Sequence, residues 1–361
     1  MTKKPLFALV ALGLLLGLAE SAARLLPVPK APPRGIVMPA HPTRGWTLEN
    51  AAPGAPSHYR ATADGLRAPS QPGPDGAPLV LTTGDSSIFG DGCPDGGTIH
   101  DLLQAEFNAR EVPARVATLA VPGYSTEQTR VVLDEVGWDM EPRLLVVADL
   151  WSDSNAEGVR DRELLDAAAS VAGRTELLLA RSALFFQVRA GLNAARGLPA
   201  RRKVTWPVLG ATGLRRVPLD DYAQNLATIL HGARSRGVGV VVLQLANAAI
   251  LGNTPGEQLW TPYFDVQTRT AEAFGVPVVR AKDAYGGRAA SAVLHDGLHP
   301  SPAGARLLAV ALVGAILDAG WPATVPVPEQ GAAVSTGPDR WDQQPLTRPR
   351  SAIRDAMESD P

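Results

Sequence analysis

The stretch LVLTTGDSS, residues 79–87, decides which fold this chain is expected to adopt. Its first half is apolar and β-branched, a glycine follows, and short polar side chains come next. That order predicts a buried strand over residues 79–82, then a tight turn and the start of a helix. In open α/β sheets, the loops that follow the carboxyl ends of strands collect functional groups. Ser86 lies in such a loop and is the first candidate functional residue.

Four more short apolar runs follow along the chain, and longer helical patterns alternate with them. This alternation is typical of βαβ units and a parallel sheet. The predicted strands are residues 79–82, 116–119, 144–148, 238–245 and 276–279, and the predicted helices are residues 99–109, 126–136, 219–236, 266–273 and 303–319. Pro277 limits the last strand to a sheet edge. The sequence therefore predicts a three-layer α/β/α sandwich with a parallel, flavodoxin-like five-stranded sheet.

A second polar segment, DGLHP at residues 296–300, stands just before the last predicted helix. A serine hydroxyl is a weak nucleophile, so acyl transfer requires a nearby base and a carboxylate that orients the base. His299 is the candidate base and Asp296 the candidate carboxylate. Gly123 follows the second predicted strand, and its lack of a Cβ lets a substrate approach its amide closely. These groups and Ser86 are all expected at one edge of the sheet.

Three blocks of this chain resemble the SGNH, or GDSL-type, hydrolase superfamily. They are LTTGDSSIFG at residues 81–90, LAVPGYST at residues 119–126 and HDGLHPS at residues 295–301. The preceding YRATADGLR at residues 59–67 resembles the lead-in of exported or membrane-tethered bacterial members. The resemblance covers about residues 58–320. It implies an ester hydrolase with a Ser86, His299 and Asp296 triad and no cofactor.

The block after the third strand departs from the superfamily, which usually has an Asn-Asp pair there. This chain has DLWSDSN at residues 149–155. By simple offset Ser152 takes the place of the asparagine, whereas Asn155 lies three residues later. The resemblance implies an oxyanion hole made of the backbone amides of Ser86 and Gly123 plus a side chain from Asn155 or Ser152.

Composition narrows the classes of function. The net charge is −2 and the basic residues are scattered, so nucleic acid is not an expected partner. Cys93 is the single cysteine, which rules out an intramolecular disulfide and a thiolate metal cluster. The histidines at positions 41, 58, 100 and 231 have no metal-ligand spacing, and His295 is expected to be structural or solvent-facing. We expect no metal and no cofactor.

The N-terminus resembles an export signal, because Lys3 and Lys4 precede an apolar stretch over residues 6–19 that Glu20 ends. Those residues would rise about 21 Å as a helix, less than the roughly 30 Å hydrocarbon core of a bilayer. That length favours a cleaved signal, while a membrane anchor through residues 5–26 stays open. The chain is expected to be exported, to the periplasm or cell envelope or into the medium.

The remaining regions are distinguished by composition. We expect a signal or anchor at residues 1–25, a proline-rich linker or arm at 26–57, a hydrolase-like domain at 58–322 and a disordered tail at 323–361. Residues 156–218 are expected to form a helical insertion in the domain that caps or shapes a substrate cleft.

Three functional hypotheses follow. The first is an esterase or deacylase acting on small acyl esters, such as O-acetyl groups of an envelope carbohydrate or lipid. The second is an O-acyltransferase of cell-surface polysaccharide that uses the same three residues. The third is a non-catalytic envelope-binding protein, which the altered asparagine block suggests. The expected partner is a small acyl ester or an acylated glycan.

Overall fold

The computed structural model describes residues 3–26, 36–50, 59–157, 159–179, 182–195, 214–253 and 258–336. Within these ranges a five-stranded parallel sheet forms the centre of the domain. Its strands are β1 Leu79–Thr83, β2 Arg115–Thr118, β3 Pro142–Val147, β4 Gly239–Gln244 and β5 Val278–Arg280. They lie in the order β2-β1-β3-β4-β5, the order of flavodoxin-like sheets. The predicted fold class is confirmed.

Helices cover both faces of this sheet. Pro302–Asp318 packs against Ile99–Ala109 on one face, and Leu219–Ser235 packs against Thr126–Val132 and Thr261–Ala273 on the other. The remaining helices are Lys3–Leu25, Ser86–Phe89, Trp151–Ser154, Asp161–Ala169, Val171–Leu179, Ala183–Ala195, Ala248–Leu251, Ala281–Ala284 and Ala290–Val293. Every residue of β4 is buried, as expected for a strand with helices on both faces.

Several element boundaries differ from the sequence prediction; the helix predicted over residues 266–273, for example, already begins at Thr261. The helix predicted over residues 126–136 is α-helical only over Thr126–Val132 and continues as a π-helical turn, Leu133–Gly137. It begins with a capping box in which Ser125 and Gln128 satisfy each other's free N–H groups. The last strand is shorter than predicted, and it lies at the sheet edge as the proline before it requires.

The described part of the arm, residues 36–50, is more closely packed than its proline content indicates. Leu48 is only 3% exposed, and Ala40–His41 forms a short antiparallel ladder with Gly45–Trp46. The Tyr59 hydroxyl donates to the backbone oxygen of Glu49 over 2.7 Å. Prolines prevent long regular elements here, but apolar side chains between them still bury surface on the domain.

The first part of the tail also packs on the domain. The carbonyl of Pro326 accepts a hydrogen bond from Val240 N–H over 2.9 Å, and Glu329 N–H donates to Phe274 over 2.7 Å. These backbone hydrogen bonds hold residues 323–336 in an extended path that composition alone does not reveal. Residues 337–361, the rest of the segment predicted to be disordered, lie outside the described residues.

The N-terminal helix is longer than its apolar stretch and runs from Lys3 to Leu25. Glu20 ends the apolar stretch but lies inside the helix, where the Arg24 guanidinium pairs with its carboxylate one turn later over 3.0 Å. Its segment Phe7–Leu25 has the length and hydropathy to cross a membrane. Nineteen residues of helix rise about 28 Å, close to a bilayer core. Length therefore no longer favours a cleaved signal over an anchor.

Candidate active site

Ser86 lies directly beyond the carboxyl end of the central strand β1. Gly84 makes the turn with φ of 146°, and a Cβ there would lie 2.7 Å from Ile88 Cγ1, so only glycine fits. Asp85 then caps the helical turn Ser86–Phe89 by accepting Ser87 N–H over 2.9 Å. Ser86 is the first residue of that turn, where a backbone N–H has no partner within the helix.

The structure brings Ser86, His299 and Asp296 into one hydrogen-bonded chain. Ser86 Oγ lies 2.9 Å from His299 Nε2, and His299 Nδ1 lies 2.6 Å from Asp296 Oδ2. Asp296 Oδ1 also accepts the backbone N–H groups of Leu298 and His299. Partial burial raises the pKa of Asp296, but these hydrogen bonds outweigh burial and lower it to about 2. The carboxylate is therefore charged at neutral pH and holds the imidazole in one orientation.

Two side chains from distant elements hold the peptide units around Gly123. Trp46 Nε1 donates to the Pro122 carbonyl over 3.0 Å, and Arg216 Nη2 donates to the Gly123 carbonyl over 2.7 Å. The N–H and C=O groups of a trans peptide point in opposite directions, so fixing the Pro122 carbonyl also fixes the direction of the Gly123 N–H. That N–H has no hydrogen-bond partner among the described residues.

Ser152 and Asn155, the two residues expected at the place of the superfamily's asparagine, lie in different environments. Ser152 is buried, and its N–H and hydroxyl lie 3.3 and 3.5 Å from Asp85 Oδ2. Asn155 is half-buried, and its backbone carbonyl accepts Arg216 N–H over 2.8 Å. Ser152 thus contacts the residue that precedes the candidate nucleophile. The oxyanion role stays a prediction for both side chains.

A row of buried carboxyl groups lies behind the site, and sequence reasoning did not identify it. Burial raises the pKa of Asp149 to about 7, with a further increase from the charge of Asp85, although hydroxyls of Thr129 and Thr83 donate to it. Burial likewise raises the pKa of Asp153 well above its usual value. Burial also raises the pKa of Asp85, and a proton on either Asp85 or Asp149 avoids two negative charges side by side.

His295 is exposed and lies beside the candidate triad. Its ring stacks on that of His299 with centroids 5.6 Å apart, and its Nε2 lies 3.7 Å from Asp296 Oδ2. The ligand atoms of these three residues lie within 4.8 Å of one another, a spacing that can hold a metal ion. Such an ion would have to displace the 2.6 Å hydrogen bond between Asp296 and His299.

No protein-family model and no curated protein matches this chain. Among solved structures, it is similar to an alpha/beta hydrolase from the metagenome of Lake Arreo, Spain, with 15% identity over 66% of this chain and 94% of that one, at a TM-score of 0.44. It is also similar to an acetylxylan esterase from Geobacillus stearothermophilus, with 15% identity over 66% of this chain and 93% of that one, at a TM-score of 0.43. A lipase/acylhydrolase from Enterococcus faecalis has 17% identity to it over 66% of this chain and 95% of that one, also at a TM-score of 0.43. Likenesses this remote carry no argument about activity. The fold is established by the strand order and helix packing of this chain itself.

Proposed function

We propose that this chain is an exported serine ester hydrolase that acts on small acyl esters. The observation that carries the proposal is the continuous hydrogen-bonded chain from Ser86 through His299 to Asp296. Its first two members are 213 positions apart in sequence, yet their reacting atoms lie 2.9 Å apart. This order of hydroxyl, imidazole and carboxylate is one that activates a serine nucleophile.

In this mechanism Ser86 Oγ attacks the ester carbonyl carbon while His299 Nε2 accepts the hydroxyl proton. Asp296 keeps the Nδ1 proton on the far side of the ring and stabilises the imidazolium that forms. The backbone N–H groups of Ser86 and Gly123 donate to the developing oxyanion. His299 then protonates the departing alcohol, leaving an acyl group on Ser86. Water attacks that acyl-enzyme with the same histidine as base, which releases the acid and restores the hydroxyl.

The substrate class proposed for this site is an O-acetyl ester of an envelope carbohydrate or lipid. It is supported by the N-terminal helix, which would place the domain in or on the envelope. The near-neutral charge of the chain also suits an uncharged acyl ester. A sugar hydroxyl in place of water would make the same acyl-enzyme a transferase. Product analysis with an added oligosaccharide acceptor separates the two outcomes.

The direct test is hydrolysis of p-nitrophenyl acetate and labelling by a fluorophosphonate probe. Ser86→Ala should abolish both, and His299→Ala should lower turnover by several orders of magnitude. Ser87→Ala is the matched control, because the Ser87 hydroxyl is buried without a hydrogen-bond partner among the described residues. Labelling of the Ser86→Ala variant would reveal another nucleophile and contradict the proposal. No labelling of the wild type would contradict it too and would favour a binding protein.

A further inference from the structure

Two helices of the insertion expose apolar side chains on one face each. Val171, Leu178 and Leu179 are spaced to share one face of the helix Val171–Leu179 and are 85%, 65% and 43% exposed. Val188 and Leu192, one turn apart on the helix Ala183–Ala195, are 53% and 52% exposed. Glu176 and Arg189 join the two helices through an ion pair of 2.6 Å. Clustered exposed apolar residues of this kind mark an interaction surface.

The N-terminal helix is exposed in the same way over most of its length. Only 6% of its apolar window is buried. Its large exposed apolar residues are Phe7, Leu9, Val10, Leu12, Leu14, Leu15, Leu16, Leu18 and Leu25. A helix that is apolar all round and not buried in protein is the form that a bilayer stabilises.

Glu20 fastens this helix to the insertion. One carboxylate oxygen accepts the Ser182 hydroxyl over 2.7 Å and Leu184 N–H over 3.0 Å, and the other accepts Ala183 N–H over 3.0 Å. Glu20 therefore binds the free amides at the start of Ala183–Ala195, where a negative charge is favoured. The two helices also pack against each other. A residue near the carboxyl end of the candidate membrane span thus caps a helix about 160 residues later.

The insertion is also attached to the sheet domain at its base. Its first helix, Asp161–Ala169, begins with a buried ion pair of 2.7 Å between Asp161 and Arg216. Arg216 in turn contacts the Gly123 carbonyl beside the candidate site. The insertion is therefore a bridge between the domain and the N-terminal helix.

From this arrangement we infer that the N-terminal helix is retained and crosses a lipid bilayer, and that the insertion helices Val171–Leu179 and Ala183–Ala195 contact the same bilayer. The Glu20 hydrogen bonds connect the N-terminal helix to the insertion. They place the exposed residues of the insertion beside a helix long enough to span a bilayer, so lipid is the occupant that covers both. Cleavage after the signal would remove Glu20 and leave the start of Ala183–Ala195 without its acceptor. The insertion then holds the domain against the membrane, a role distinct from capping a cleft, and one that does not depend on esterase activity.

Spin labels on the full chain in phosphatidylcholine vesicles test lipid contact directly. Val188→Cys and Leu192→Cys place the label on the insertion, and Val310→Cys is the matched control because Val310 is a 40% exposed apolar residue of the domain helix Pro302–Asp318. Cys93 is 2% exposed and should not react in the folded protein. Labels on the insertion should relax faster with oxygen and slower with a water-soluble nickel chelate than the control label. Equal accessibility of all three sites to the nickel chelate would overturn the inference.

Two further measurements test the retained anchor and the Glu20 contact. The intact mass of protein isolated from the host envelope should include residues 1–25, and a mass that lacks them would refute the inference. Glu20→Gln keeps one side-chain oxygen that can accept a hydrogen bond, whereas Glu20→Leu removes both acceptor oxygens and keeps the helix apolar. Limited proteolysis in vesicles should cut Glu20→Leu several-fold faster than wild type within residues 170–195, with Glu20→Gln in between. Equal cleavage rates for Glu20→Leu and wild type would refute the proposed role of the Glu20 hydrogen bonds.

Discussion

Trp46→Phe tests whether an arm residue positions the peptide that should stabilise the oxyanion. The change removes the indole N–H that donates to the Pro122 carbonyl over 3.0 Å. It keeps an aromatic ring that can still pack edge-on against Tyr124, whose ring centroid lies 5.8 Å from that of Trp46. Pro122 is buried, so its carbonyl would be left without that donor. The peptide that carries the Gly123 N–H would then be held less firmly.

Two magnitudes bound the expected effect. An unsatisfied buried carbonyl destabilises the fold by about 1–3 kcal/mol, and complete loss of one oxyanion donor lowers kcat by about 10²–10³. Arg216 still holds the next carbonyl over 2.7 Å in this variant, so the amide is loosened and not lost. We expect a fall in kcat of about tenfold, equal to about 1.4 kcal/mol of transition-state stabilisation, with little change in KM.

Steady-state hydrolysis of p-nitrophenyl acetate and thermal denaturation should be measured on the same preparations. Trp138→Phe is the matched control, since the Trp138 indole donates over 3.0 Å to Asp134, an exposed residue of the π-helical turn Leu133–Gly137. That control should keep kcat. If Trp46→Phe lowers Tm while kcat stays at the wild-type value, Trp46 serves stability alone and the positioning argument is wrong.

Three further predictions concern the carboxylates and a glycine near the site. Asp296→Asn should lower kcat by about 10³–10⁴, as wrong-tautomer variants of such triads do, with KM nearly unchanged in steady-state assays. Hydrogen bonds lower the folded-state pKa of Asp296 to about 2, so its contribution to stability is present above about pH 4 and is lost as the pH falls toward 2. The stability of Asp296→Asn should therefore fall less over this pH range than that of the wild type. Burial raises the pKa of Asp149 to about 7, so the folded state holds a proton that the unfolded chain has lost above about pH 4, and stability should fall as the pH rises from 4 to 7. Tm measured from pH 4 to pH 7 should therefore fall less steeply for Asp149→Asn than for the wild type. An equal slope of Tm against pH for the two proteins would contradict this prediction. Gly92→Ala should destabilise the chain by about 1–3 kcal/mol in urea titrations, because Gly92 has φ of 76° and an added Cβ would lie 2.2 Å from His295 Nε2.

The sheet could be predicted because its signal is local. A fully buried parallel strand is a nearly continuous apolar run, and residues 79–82 and 238–245 are such runs, interrupted only by Thr82, Gly239 and Gln244. The proline before β5 placed that strand at an edge for an equally local reason. Boundaries such as the π-helical end of the helix from Thr126 depend on packing against other elements, which periodicity does not encode.

The candidate triad could be predicted from two motifs, since each motif carries its own turn chemistry. Other parts of the site are held by contacts that span the chain. Trp46 and Pro122 are 76 positions apart, and Arg216 and Gly123 are 93 apart. Asp149 is buried because threonines of two other elements satisfy it. The only sequence signal for these residues was their polarity within otherwise apolar or proline-rich segments, which is too common to single them out.

The contacts around Gly123 indicate how this chain could orient an oxyanion donor without the Asn-Asp pair of the superfamily that it resembles. Trp46 comes from the proline-rich arm and Arg216 from the end of the insertion, and both donate to carbonyls of the same turn. A turn fixed at two successive carbonyls presents its free amide in one direction without help from a neighbouring asparagine. Arg216 also pairs with Asp161 at the start of the insertion. One guanidinium therefore contacts both the insertion that we place at the membrane and the turn whose amide we place at the oxyanion. Segments outside the α/β core would then determine both where the domain sits and how well its site stabilises charge.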